Sequence, residues 1–125
     1  MDRPLNLPNL DIPRLLHQFG LHPDKSLGQN FLLDESALQR VVDAAQVTPQ
    51  DVVLEIGPGL GSLTRHLATI AHTVVAVEVD AALIPALEQV VGQYSNVQVI
   101  KGDILALDPV QLVSQSPYLV VANIP

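Results

Sequence analysis

Residues 52–61 read Val52-Val53-Leu54-Glu55-Ile56-Gly57-Pro58-Gly59-Leu60-Gly61, an apolar run that passes into three glycines at alternate positions. The apolar run predicts a buried strand, and the residues after the glycines predict a helix. A Cβ at the glycine positions would block the tight turn and would hold a ligand away from the main-chain N–H groups. The stretch therefore predicts a loop where Gly57, Gly59 and Gly61 lie against a nucleoside cofactor.

The spacing of these glycines separates two classes of cofactor. The dinucleotide fingerprint G-x-G-x-x-G would place its third glycine at position 62, which is Ser62 in this chain. The observed G-x-G-x-G pattern therefore favours S-adenosylmethionine over NAD. A nicotinamide-dependent oxidoreductase stays open as an alternative, because it would share the strand and the glycine loop.

Composition limits the class of protein. The chain has 125 residues, 48% of them hydrophobic, which suits one domain with a packed core. No apolar stretch is long enough to span a bilayer and the first residues do not resemble a signal peptide, so we expect a cytoplasmic protein with no membrane partner. The chain has no cysteine, and its four histidines show no ligand spacing. We therefore expect no metal site.

The formal net charge of −7 bears on nucleic-acid binding. Phosphate contacts need clustered basic side chains, whereas this chain has only six Lys and Arg residues, spread along its length. If RNA is the partner, its main basic surface lies elsewhere. For Arg14, Lys25 and Arg65, a solvated surface position is the favoured interpretation over RNA contact.

Strand and helix patterns alternate from position 52 to the end of the chain. Strands that are continuous Val, Ile and Leu runs are typical of a parallel sheet covered on both faces. We predict an α/β fold of the Rossmann-like, doubly wound, mostly parallel type, with a flexible N-terminal arm (1–10), an N-terminal helical segment (11–46) and a cofactor-binding half-domain (47–125). The expected helices are 12–19, 34–46, 62–71, 81–94 and one after Pro109, and the expected strands are 52–56, 73–79, 97–101 and 118–122.

Acidic residues fall at the ends of successive strands, where this fold binds ligands. Glu78 closes the second strand and suits a carboxylate that accepts hydrogen bonds from two ribose hydroxyls. Asp103 closes the third strand and suits an adenine amino group, with the Ile104 backbone beside it. The alternative is that Glu78 and Asp103 only cap the helices that follow. For Asp80, the capping role is the favoured one.

Five motifs in this order resemble the small-subunit (16S-type) ribosomal RNA adenine N6,N6-dimethyltransferases. The erythromycin-resistance methyltransferases of large-subunit RNA share some of these motifs, but Pro58 and Leu60 in the glycine loop are typical of the small-subunit branch. The motifs are Gln29-Asn30-Phe31-Leu32, Glu55 to Gly61, Val77-Glu78-Val79-Asp80, Gly102-Asp103-Ile104-Leu105 and Asn123-Ile124-Pro125.

The resemblance implies roles for individual residues. Asn30 and Leu32 would line the methionine end of S-adenosylmethionine, Glu78 would bind the ribose, and Asp103 with Ile104 would frame the adenine. The catalytic motif would be Asn123-Ile124-Pro125, in which Asn123 touches both the cofactor and the target base. The Asn123 amide oxygen and the Ile124 carbonyl would accept hydrogen bonds from the adenine amino group, and orientation and electrostatics would supply most of the acceleration.

The resemblance covers only the N-terminal, cofactor-binding part of the family. Family members continue after Pro125 with an aromatic residue that stacks on the flipped base, further strands and a helical RNA-binding domain. We therefore expect this chain to bind cofactor at most, with the RNA or pre-30S particle held mainly by the missing part. A noncatalytic module in ribosome assembly stays open, and self-association through an exposed fourth strand is expected.

Overall fold

The computed structural model describes residues 7–22, 35–113 and 117–122. The four strands of these residues form one parallel sheet in the order β3-β2-β1-β4, so the predicted doubly wound α/β fold is confirmed. The elements are α1 (Ile12–Gln18), α2 (Glu35–Ala45), β1 (Val52–Ile56), α3 (Ser62–Ala68), β2 (Thr73–Glu78), a 3-10 helix (Ala81–Leu83), α4 (Ile84–Val91), β3 (Val97–Lys101), a 3-10 helix (Ile104–Ala106), α5 (Pro109–Leu112) and β4 (Leu119–Ala122).

Strand β1 lies between β2 and β4 and is covered on both faces. Alternate residues point to opposite sides of the sheet, so Val53 packs with α2 and α3 while Leu54 packs with the α5 region. Both side chains are fully buried. Helices α1 and α4 complete the first face with their own cluster, which includes Leu15, Leu60 and Leu87. Burial of both faces explains why these strands are apolar throughout.

Local sequence signals set several helix ends. The Asp11 side chain accepts a hydrogen bond from the Arg14 N–H at 3.1 Å and caps α1. Helix α4 begins at Ile84 and not at the predicted position 81, so that Pro85 lies in its first turn, where its missing N–H breaks no helical hydrogen bond. Helix α3 is shorter than predicted, since the Asn96 side chain donates to the carbonyls of Ala68 and Ala71 and closes its end.

Several predictions lie outside the described residues. They concern residues 1–6 of the N-terminal arm, most of the linker of residues 22–29 and the first residue of the second predicted helix. Within the described residues, β4 pairs only with β1 and is the predicted edge strand, and its Val120 is 56% exposed. Self-association through this edge stays a prediction, which sedimentation would test. None of the described helices is long and apolar enough to cross a membrane.

Gly61 offers a test of the packing between the glycine loop and α4. It has a φ of +89°, and a Cβ there would lie 3.0 Å from Leu87 Cδ1 and 3.1 Å from Val91 Cγ1. We expect Gly61→Ala to lower the free energy of unfolding by about 2–4 kcal/mol, through backbone strain and overpacking together. Urea unfolding followed by circular dichroism measures this loss.

Gly20→Ala is the matched control for the backbone contribution. Gly20 has a φ of +63°, and a Cβ there would meet no atom within 4 Å. The expected loss is about 1–2 kcal/mol, from the left-handed conformation alone. Equal losses in the two variants would show that contact with α4 does not constrain Gly61.

Candidate functional site

The glycine loop joins β1 to α3 at the carboxyl edge of the sheet. All three glycines adopt left-handed φ angles, +73° at Gly57, +60° at Gly59 and +89° at Gly61. The side chain of Leu60 is buried against α4, and the Gly61 N–H donates to the Pro58 carbonyl at 2.9 Å. The loop is therefore anchored from below, while Gly57 and Gly59 remain partly exposed at the edge.

Glu78, the last residue of β2, bonds directly to this loop. Its Oε1 accepts from the Gly59 N–H at 2.8 Å and its Oε2 accepts from the Asp80 N–H at 3.0 Å, with the residue only 4% exposed. The capping alternative for Glu78 is wrong, because Asp80 caps the following 3-10 helix through the Ala82 N–H. A carboxylate oxygen has more than one acceptor position, so ribose binding by Glu78 stays a prediction.

Two further hydrogen bonds join the three turns at this edge. The Gly57 N–H donates to the Val77 carbonyl at 3.0 Å, and the Gly102 N–H donates to the Glu78 carbonyl at 2.9 Å. Because the carboxyl ends of parallel strands meet at one edge, the structure brings the glycine loop, Glu78 and the segment after β3 together.

Asp103 has a structural role that the sequence left open. Its Oδ1 accepts from the Leu105 N–H at 2.9 Å and caps the 3-10 helix Ile104–Ala106. Asp103 is exposed, whereas Ile104 is partly buried against the cluster under α5. The capping role is confirmed, and the contact of Asp103 and Ile104 with adenine stays a prediction.

Five of the predicted site residues lie outside the described part of the chain: Asn30, Leu32, Asn123, Ile124 and Pro125. The last described residue before the predicted catalytic motif, Ala122, ends β4 and pairs in register with Ile56. Ile56 directly precedes Gly57, so β4 ends at the same edge of the sheet as the glycine loop.

Glu55 is a buried carboxyl group whose position the site prediction did not use. It is fully buried in β1, two residues before Gly57. The Thr64 hydroxyl of α3 donates to its Oε1 at 2.5 Å, and Oε2 has no hydrogen-bond partner in the described structure. The signal in the sequence was an acidic residue inside an apolar strand, which requires either a partner or a proton.

Burial raises the pKa of Glu55 from its ordinary value of 4.5 to about 7. The Thr64 hydrogen bond lowers this pKa and the nearby Glu78 raises it, but desolvation is the largest cause. Glu55 therefore carries a proton through much of the acidic and neutral range. A titrating carboxyl group therefore lies in β1, two residues before the glycine loop begins.

A second buried group of charges joins α2 to α3. Glu35 Oε1 lies 2.9 Å from Arg65 Nη2, and Glu35 Oε2 bonds to His66 Nε2. Arg65 and His66 are each only 5% exposed. The interpretation of Arg65 as a solvated surface residue is therefore wrong. The sequence could not show that Glu35 of α2 lies against this face of α3. The described residues contain no cluster of side chains that could hold a metal ion.

The sequence model of the family described as "Ribosomal RNA adenine dimethylase" matches residues 21–125. The chain belongs to this family. The resemblance inferred from the five motifs is thereby confirmed.

Relatives of this chain include the ribosomal RNA small subunit methyltransferase A of Alkaliphilus metalliredigens, 44% identical over 115 residues. That match covers 89% of this chain and 40% of the relative, so the chain spans well under half the length of the curated protein. Among solved structures, the 23S rRNA methyltransferase ErmE is 34% identical with a TM-score of 0.66. The match covers 77% of this chain and 38% of the ErmE chain. A dimethyladenosine transferase from Plasmodium falciparum is 29% identical with a TM-score of 0.63. That match covers 77% of this chain and 34% of the Plasmodium chain.

The buried proton on Glu55 predicts a specific pH dependence of stability. The folded protein keeps this proton, while the unfolded chain releases it above its ordinary pKa of 4.5. The free energy of unfolding therefore falls as pH rises from 4.5 to about 7, and this contribution is flat above that range. The loss amounts to about 3 kcal/mol.

Urea unfolding of Glu55→Gln across this range measures the contribution, because glutamine is similar in shape and does not titrate. We expect the difference in stability between variant and parent to grow in favour of the variant as pH rises. Glu88→Gln makes the same change on the exposed side of α4 and should follow the parent. Parallel pH profiles for the parent and Glu55→Gln would show that Glu55 is not protonated in the folded protein.

Proposed function

We propose that this chain is the cofactor-binding part of an enzyme that transfers methyl groups from S-adenosylmethionine to N6 of two adjacent adenines in small-subunit ribosomal RNA. The observation that carries the proposal is the bond between Glu78 and the Gly59 N–H, in a chain that belongs to the adenine dimethylase family. This bond places an acidic side chain against a left-handed glycine loop at the carboxyl edge of a parallel sheet. Nucleoside ligands bind at this position in such sheets.

The residues present fit S-adenosylmethionine. The main chain at Gly57 and Gly59 is partly exposed, and no Cβ keeps a ligand from it. Glu78 retains acceptor positions for ribose hydroxyls, and Asp103 with Ile104 follows the adjacent strand, where the adenine would lie. When bound, this cofactor supplies an electrophilic methyl group on a sulfonium cation. The carboxylates at this edge suit a cation better than the positive end of a helix dipole does.

The remaining roles are proposed from the family motifs. Asn30 and Leu32 line the methionine end of the cofactor. The Asn123 amide oxygen and the Ile124 carbonyl accept hydrogen bonds from the adenine amino group and orient its nitrogen toward the methyl carbon, with Pro125 completing the motif. Dimethylation follows if the singly methylated amine re-enters the same site. Orientation and electrostatics require no covalent nucleophile on the protein.

Small-subunit RNA is the proposed substrate because the small-subunit relative is 44% identical to this chain, whereas the large-subunit enzyme ErmE is 34% identical. The loop residues Pro58 and Leu60 agree with this choice. We further propose a cytoplasmic role in ribosome biogenesis, on ribosomal RNA or a pre-30S particle. Since the net charge is −7, RNA is held mainly by the part of the relatives that this chain does not span.

Cofactor binding is the first test. We expect S-adenosylhomocysteine to bind this chain in a calorimetric titration, and Glu78→Ala to lose at least tenfold in affinity, because the variant removes both the ribose acceptor and the Gly59 bond. Asp108→Ala is the matched control, since Asp108 also accepts one backbone N–H but caps α5. Equal affinity in Glu78→Ala, with an unchanged circular dichroism spectrum, would contradict the proposed site.

The reaction is tested with a protein that carries this chain together with the further length of its relatives. We expect it to transfer methyl groups from S-adenosylmethionine to small-subunit RNA and to yield N6,N6-dimethyladenine, which mass spectrometry of the digested RNA detects. Asn123→Ala should reduce transfer by about 100-fold or more, since it removes a hydrogen bond that strengthens in the transition state. RNA binding without any methyl transfer would instead support a noncatalytic assembly module, and modification of large-subunit RNA would support the erythromycin-resistance type.

A further inference from the structure

We propose that Glu55 determines how strongly the site prefers cationic S-adenosylmethionine to the neutral-sulfur product S-adenosylhomocysteine. The inference rests on the proposed function and deepens it. It starts from the position of Glu55, a buried carboxyl group in β1 two residues before the glycine loop, with one oxygen that has no partner among the described residues.

The geometry of Glu55 makes it sensitive to charge at the loop. Its side chain is fully buried, with Oε1 bonded to the Thr64 hydroxyl and Oε2 without a partner among the described residues. Glu55 lies two residues before Gly57 in the same strand, which separates their Cα atoms by about 7 Å. A low-dielectric surrounding transmits a charge at Gly57 to this carboxyl group more strongly than water would.

Among the described residues, the charged groups around Glu55 do not compensate its charge. Glu78 on β2 is itself acidic and raises the pKa of Glu55. On α3, Arg65 and His66 both bond to Glu35 of α2. On the other side, β4 contributes Val121 in register with Glu55. A cation on the glycine loop is therefore the charge that stabilises an ionised Glu55.

Binding and ionisation are linked as a consequence. Because burial raises the pKa of Glu55 to about 7, the carboxyl group is mostly protonated below that pH. A sulfonium cation favours the ionised form and expels the proton from Oε2 to solvent, whereas the product has no such cation and leaves the proton in place. At higher pH, Glu55 has already lost its proton, so binding of the cation no longer includes the free energy of removing it and becomes stronger. The preference for S-adenosylmethionine over S-adenosylhomocysteine should thus rise with pH.

Calorimetric titration of both ligands tests this linkage. From about pH 6 to about pH 8, we expect the ratio of the two affinities to rise on the order of tenfold, as for a unit charge on the order of 10 Å from a carboxylate in a protein. Near pH 6, binding of S-adenosylmethionine should also release protons, measured as a dependence of the heat on the ionisation enthalpy of the buffer. Binding of S-adenosylhomocysteine should release none from Glu55.

Variants separate Glu55 from other titrating groups. Glu55→Gln should abolish the proton release and the part of the rise in the affinity ratio that comes from Glu55. Any contribution from titration of the ligands themselves is the same in the parent and the variant, so it cancels in the comparison. Thr64→Val should shift the rise to higher pH, because the Thr64 hydrogen bond lowers the pKa of Glu55. Glu88→Gln, on the exposed side of α4, should behave as the parent does.

The failures of the two proposals are distinguishable. If both ligands bind but the parent and Glu55→Gln show the same ratio at every pH, the role of Glu55 is overturned and the cofactor assignment stands. If neither ligand binds to the folded protein, the cofactor assignment fails and the role of Glu55 fails with it. A Thr64→Val profile identical to that of the parent would also contradict the linkage.

Discussion

The Glu78 carboxylate accepts hydrogen bonds from the Gly59 and Asp80 N–H groups, and the arrangement of the loops at the carboxyl edge of the sheet depends on these two bonds. The Gly59 bond joins the end of β2 to the loop after β1, and the Asp80 bond lies within the turn that follows β2. Both bonds lie in a region from which water is nearly excluded, where a carboxylate acceptor bonds most strongly. The left-handed glycines make the approach sterically feasible. A side chain expected only to meet a ligand therefore also builds the surface on which that ligand would lie.

Below this edge, the sheet carries a second carboxyl group with different physical chemistry. Glu78 lies at the end of β2 and accepts hydrogen bonds from two backbone N–H groups. Glu55 lies inside β1, is fully buried and accepts one hydrogen bond from a hydroxyl group. Two carboxyl groups on neighbouring strands are thereby held in different surroundings, and burial shifts the pKa of Glu55 to about 7. In such a pair, one carboxylate can bind while the other responds to charge.

The apolar layers hold this edge of the sheet by packing against both of its faces. Val53 and Leu54 lie on opposite faces of β1 and are buried in different clusters, and Leu60 extends one cluster into the glycine loop. The Glu35 bonds to Arg65 and His66 add an ionic contact between α2 and α3 at the same face. Removing Glu35 would leave the buried Arg65 charge without its partner among the described residues, which costs more than the pair contributes when intact.

The sequence alone determined the order of strands and helices along the chain, the glycine loop and the cap at Asp80, because each depends on residues close together in the chain. The family, too, was evident from short motifs. Only the tertiary structure decided that Glu78 bonds to Gly59, that Thr64 is the partner of Glu55 and that Arg65 is buried by Glu35. These contacts join residues from different elements, and hydrophobic periodicity specifies which face of an element is buried but not which polar side chains meet there.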